Sequence, residues 1–81
     1  MEILDIPIIT SASFDGDIFI VVADGKTYTW NVKEISNRLF IATDVDRNNF
    51  TISPSGYGIH WPTLDEDISL NGLLKNKKLG D

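Results

Sequence analysis

The 81 residues admit one compact domain (1–81) with a thin core, and a 42% hydrophobic content with eight aromatic residues is too apolar for a disordered chain. The net charge of −5 is uneven, with four Lys/Arg against eleven Asp/Glu in residues 1–70 and Lys75, Lys77 and Lys78 against Asp81 in the end that follows. A body that acidic repels phosphate backbones and argues against direct nucleic-acid binding, while the absence of cysteine excludes disulfides, thiolate zinc sites and a cysteine nucleophile.

Taken from the start, Met1 to Pro7 is acidic where a secretory leader would be basic. The longest apolar run, Ile18 to Ala23, has six residues against the ~20 that cross a bilayer. These features predict a cytoplasmic protein with no membrane association. Ile8 to Phe14 reads as a first strand turning at Asp15-Gly16. Ile18 to Ala23 is apolar at both alternating sets of positions, as a central strand covered on both sides would be. Asp24-Gly25 is the dipeptide of a two-residue hairpin, because both residues tolerate positive φ. The strand after it alternates, with Tyr28, Trp30 and Val32 facing one way and Thr27, Thr29 and Asn31 the other. Trp30 is expected on the more buried face.

The period then lengthens. Val32, Ile35, Leu39 and Ala42 fall at helical spacing behind an Asn31 cap, and Thr43 with Asp46 forms a capping box for a further short turn of helix. Phe50 to Ser53 and Tyr57 to Trp61 read as short strands around a Pro54-Ser55-Gly56 turn, the second ended by Pro62. Asp65-Glu66-Asp67 reads as a loop. Ser69 caps a last helix toward Lys75, with Ile68 and Leu73 as a hydrophobic staple across its start. The expected fold is α+β, a small antiparallel sheet of about five strands with two or three short helices on one face and a core over residues 8–74. The basic stretch 75–81 is expected to be a flexible tail.

Few residues carry recognisable chemistry. His60 is the single histidine, and a general base needs an orienting partner that the sequence alone does not supply. Asp65, Glu66 and Asp67 attract a hard cation in principle, yet on a loop adjacent carboxylates diverge, and acids ahead of a helix N-terminus have a sufficient electrostatic role there. Asp44-Val45-Asp46 opens like a calcium loop but has Asn49 at the sixth position and Ser55 at the twelfth. No nucleophile elbow or phosphate-binding glycine loop is present. The sequence therefore predicts no catalytic, cofactor or metal residue. The stretch Gly56-Tyr57-Gly58-Ile59-His60-Trp61-Pro62 reads first, for most of its residues, as a core strand with turn glycines, and second, with the acids behind it, as a recognition strip for a basic segment.

This stretch carries a resemblance. Gly56 to Leu74, with its Tyr-Gly-Ile-His-Trp-Pro, Leu-Asp-Glu-Asp and final leucine pair, resembles the closing motif of the small prokaryotic family called domain of unknown function 2442. The likeness extends upstream through Arg47-Asn48-Asn49-Phe50, Leu39 and the strand before Asp24-Gly25, covering about residues 8–74. It departs at Val32-Lys33-Glu34, where relatives more often have a proline and an aromatic residue. The resemblance implies a compact α+β fold and no catalytic residue to carry over. It further implies pairing with a second small protein encoded nearby, as in toxin–antitoxin systems.

Acidity and the missing active site then predict a non-catalytic protein-binding module, the antitoxin-like or regulatory subunit of a two-protein system. Its partner would be basic, its contact strip Tyr57, His60, Trp61, Asp65, Glu66 and Asp67, and self-association is left open. Two alternatives accompany this expectation. One is a small metal- or ligand-dependent enzyme using His60 and the acidic trio; the other is a nucleic-acid-associated regulator using the lysine-rich end.

Overall fold

The computed structural model describes residues 7–79, with side chains through residue 75. The leader expectation for Met1 to Pro7 therefore falls almost wholly outside the described residues. The chain opens with a meander of β1 (Ile9–Asp15), β2 (Ile18–Ala23) and β3 (Lys26–Asn31), antiparallel in that order. Asp24 and Gly25 join the last two at φ 51° and 78°, the paired positive angles that match the strands' twist. Phe19 stands opposite both Phe14 and Trp30, so all three share the inward face, and Trp30 is buried as its alternation predicts.

The following helical segment differs from the single spacing in the sequence. It is two one-turn helices, α1 (Val32–Ile35) and α2 (Asn37–Ile41). Ser36 separates them in an extended conformation, φ −163° and ψ 117°, and its hydroxyl accepts from the Leu39 amide as the cap of α2. Asn31 caps α1 by accepting from the Lys33 amide. Thr43 caps α3 (Asp44–Arg47) in the same way, through the Asp46 amide.

A second meander follows, made of β4 (Thr51–Ile52), β5 (Gly58–Trp61) and β6 (Glu66–Ser69), and leads into α4 (Leu70–Leu79). Two expectations are corrected here. The strands form two three-stranded antiparallel sheets, not one sheet of about five, because three helical turns part β3 from β4 and each sheet pairs only sequential neighbours. The acidic trio is not on a loop. Glu66 and Asp67 open β6, held in its ladder opposite Trp61 and His60 despite the low strand preference of acids. Residues 75 to 79 of the basic end continue α4, while Gly80 and Asp81 lie outside the described residues.

The core lies between the inward faces of the sheets. Phe14 and Phe19 from the first meet Trp61 from the second at ring-centroid distances of 6.4 and 5.8 Å, and Phe50 joins them at 5.8 Å from Trp61. Val32, Leu39, Leu70 and Leu73 close it from the helices. Roughly 2–3 kcal/mol per fully buried side chain of this size makes Phe19 and Trp61 large single contributors to cohesion. Among the described residues no helix is long and apolar enough to cross a membrane.

Candidate functional site

The six residues of the expected strip lie on or beside the β5–β6 hairpin, and its register divides them. His60 pairs with Asp67 and Trp61 with Glu66. Successive strand residues alternate between faces, so the first pair points outward and the second inward. Trp61 is completely buried, and its indole N–H donates to the Arg47 carbonyl at 2.8 Å. A side chain enclosed on all sides cannot anchor a partner without unfolding the domain, and Trp61 is removed from the contact strip on that ground. Glu66 is committed inward too, since its Oε2 accepts a 2.6 Å hydrogen bond from the Ser36 hydroxyl. Tyr57 is exposed, but it lies four residues before Trp61 at the far end of β5 from Asp65.

What remains together is His60 with Asp67. Nδ1 of His60 lies 2.7 Å from Oδ1 of Asp67, with side-chain exposures of 45% and 75%. With Asp67 as a carboxylate, Nδ1 carries the proton and donates, which leaves Nε2 as the acceptor in the neutral imidazole. Thr51 stands across from His60 on β4, so a threonine, a histidine and an aspartate form one outward row across the sheet. Beside the row lies an open groove of about 350 Å³ lined by Ser53, Gly58, His60, Asp67 and Ser69, among others. Ser53 and Ser69 are occupied locally. The Ser53 hydroxyl accepts from the Gly58 amide at 3.2 Å, and Ser69 caps α4 through the Gly72 amide at 3.0 Å.

The turn ahead of β6 is clamped from outside. Arg38 Nη1 donates to the Asp65 carbonyl at 2.7 Å and to the Leu64 carbonyl at 3.3 Å, and Thr63 Oγ1 donates to Asp46 at 3.2 Å. Asp65 adopts φ 52° within this turn, a left-handed conformation that Asp tolerates better than bulky residues do. The three carboxyl residues thus part company, Glu66 to the interior, Asp67 to the outer face and Asp65 to the turn. Among the described residues no group of three His, Asp or Glu side chains is placed to hold a metal ion.

The sequence missed Arg47, Ser36, Thr51 and Ser53. Arg47 is 5% exposed; Nε donates to the Leu39 carbonyl, Nη1 to Gly16, and Nη2 to Phe40 and the Asp17 carboxylate, all within 3.0 Å. An arginine between Asp46 and Asn48 gives no local sign of burial. Thr51 and Ser53 become neighbours of His60 only through strand pairing, which spacing in the chain does not display.

A family model described as "Protein of unknown function (DUF2442)" matches residues 9–78. No curated protein matches the chain. The chain is similar to a solved crystal structure of a protein of unknown function from Rhodospirillum rubrum, at 33% identity and a TM-score of 0.74, covering 86% of this chain and 87% of that one. The family match runs through the entire Gly56–Leu74 motif, both sheets and α1 to α3, and the structural likeness extends over most of both chains. On these grounds the chain belongs to the DUF2442 family.

Proposed function

We propose that this domain is a non-catalytic protein-binding module, the regulatory or antitoxin-like half of a two-protein pair. Its contact surface is the outer face of β4, β5 and β6, centred on His60 and Asp67 with Asp65 at the rim. The observation that carries this reading is the outward His60–Asp67 row beside an open groove on a chain of net charge −5. A half-exposed imidazole and an exposed carboxylate suit a basic segment of a partner, and the field of the whole chain speeds the approach of a positive one. Tyr57 supplies an exposed aromatic ring at the other end of β5.

The test is co-expression with the product of the neighbouring gene, followed by calorimetry of the purified pair. The expected complex weakens as salt rises. Asp65→Asn with Asp67→Asn slows association and flattens that salt dependence, and Tyr57→Ala weakens binding by ~2 kcal/mol. Variants with unchanged circular dichroism that bind as the parent does move the interface elsewhere.

One observation favours a second reading. A histidine oriented by a carboxylate at 2.7 Å is the arrangement a general base requires. A small ligand-dependent enzyme would reveal itself through a large thermal stabilisation by a bound metal ion or nucleotide, lost in His60→Ala. The acidic surface gives the nucleic-acid alternative less support, and a gel shift with plain duplex at low salt tests it.

A further inference from the structure

The last strand of the second sheet leaves one side of its backbone unpaired. The sheet order is β4-β5-β6, so among the described residues β6 is an edge. Two hydrogen bonds fix which groups that edge presents. The Leu70 amide donates to the Tyr57 carbonyl and the Ser53 amide to the Gly58 carbonyl, so Tyr57 turns its carbonyl toward β6 and Gly58 toward β4. By alternation along β5, Ile59 and Trp61 bond β6, whereas Gly58 and His60 bond β4. Ser69 and Asp67 stand opposite Gly58 and His60, and they therefore turn their N–H and C=O groups to the open side. Both residues are exposed. Glu66 and Ile68, the β6 residues whose side chains turn inward, line a groove of about 390 Å³ beside this edge, together with Ile35 of α1 and Leu73 and Lys75 of α4.

We infer that the β6 edge takes up an extended segment of a basic partner as a fourth, antiparallel strand, with the side-chain pattern basic, apolar, basic. The inference rests on the reading of the outer face as a surface for a basic protein segment, and it names how that segment lies. The free backbone groups of Asp67 and Ser69 are two residues apart, about 6.6 Å along the strand, the repeat that an extended chain matches. Partner residues opposite these two exchange both backbone bonds with them. Their side chains share the outward face with Asp67, whose side chain is 75% exposed, and a lysine or arginine there meets its carboxylate. The partner residue between them lies opposite Ile68, and its side chain enters the groove against Ile35, Ile68 and Leu73, which calls for an apolar one. A second copy of β6 is the wrong occupant. Pairing β6 with itself about a two-fold axis crowds two Asp67 carboxylates onto one face of a four-residue edge, between chains of net charge −5. The acid that rejects a like strand accepts a basic one.

Amide hydrogen exchange of the full chain, followed by NMR, tests the inference with a short, end-blocked peptide of alternating lysine and valine as the probe. In the free chain the Asp67 and Ser69 amides are expected to exchange faster than those of Ile68 and Leu70, which bond β5. Saturating peptide slows exchange at Asp67 and Ser69 by ~10-fold or more. The same peptide N-methylated on its lysine backbone nitrogens keeps its charge and side chains but binds ~10-fold or more weakly, since it has lost the donors that face β6. A glutamate–valine peptide is expected not to bind. Four results would each overturn the inference: Asp67 and Ser69 amides already protected in the free chain, a lysine–valine peptide that does not bind, an N-methylated peptide as tight as its parent, or a glutamate–valine peptide as tight as the lysine one. None of them touches the outer-face reading, which stands or falls on the complex with the neighbouring gene product. Peptide protection of the edge in a chain that forms no such complex would keep the edge and overturn the pairing.

Discussion

His60 and Trp61 are adjacent in sequence and have opposite fates. Strand alternation dictates that they face opposite ways, and packing dictates which way is in. Trp61 fills the space between Phe14, Phe19 and Phe50 and gives its N–H to the Arg47 carbonyl. His60 is half-exposed with one partner, Asp67. Replacing Trp61 with Ala leaves a large cavity and an unsatisfied buried carbonyl, and is expected to destabilise the fold by ~3–5 kcal/mol in urea unfolding. His60→Ala is expected to shift the same curve by ~0.5 kcal/mol or less, because the hydrogen bond it removes is exposed. Equal losses at the two positions would contradict the assignment of Trp61 to the core and His60 to the surface.

Among the elements, the two turns that most need glycine separate conformational preference from steric room. Gly25 has φ +78° and nothing within 4 Å of where a Cβ would stand. Gly56 has nearly the same angle, φ +81°, but a Cβ there would come within 2.5 Å of the Ile8 side chain and 3.5 Å of the Ile9 amide nitrogen. That crowding follows from the Gly56 carbonyl accepting the Ile9 amide at 2.8 Å, the bond that ties β1 to the β4–β5 turn. Gly25→Ala is expected to cost about 1 kcal/mol, from the left-handed conformation alone. Gly56→Ala adds overpacking and reaches roughly 2–4 kcal/mol. Thermal unfolding of the two variants side by side checks the order. Asp24-Gly25 announces its turn in sequence because a two-residue hairpin is a local object. The further demand on Gly56 comes from residues nearly fifty positions earlier.

Across the whole molecule, Arg47 is the tie that connects separate parts. Its guanidinium serves carbonyls of α2 and of the β1–β2 turn, its Cζ lies 5.7 Å from the Phe14 ring centre, and its own carbonyl receives the Trp61 N–H from β5. Arg47→Met retains the volume but strands the Gly16 and Phe40 carbonyls, while the Leu39 carbonyl keeps the Ala42 amide, with an expected loss of ~3–5 kcal/mol and exposure of the aromatic cluster on partial unfolding. Asp17, its carboxylate partner, is 61% exposed at the side chain, so Asp17→Asn is expected to lose no more than about 1 kcal/mol. Denaturant unfolding of the two variants distinguishes a guanidinium held by carbonyls from one held by an ion pair. Comparable losses would show that the ion pair dominates.

The sequence by itself determined the local objects. The β2–β3 hairpin, the Asn31, Thr43 and Ser69 caps, the Pro62 strand stop and the turn before β5 all follow from interactions spanning a few residues. The motif from Gly56 to Leu74 was legible as a signature, and its aromatic and acidic content pointed to a surface. Only the tertiary structure decided how that signature divides. Ile59, Trp61, Leu70 and Leu73 are buried, Glu66 bonds Ser36, and His60, Asp67 and Tyr57 are left to solvent. The same holds for β6, whose acids read as loop until β5 supplies the opposing ladder, and for the division into two sheets. The physical reason is range. Turn and cap chemistry acts between neighbours along the chain, whereas the buried face of a strand and the partner of a strand edge are set by groups that only folding brings together.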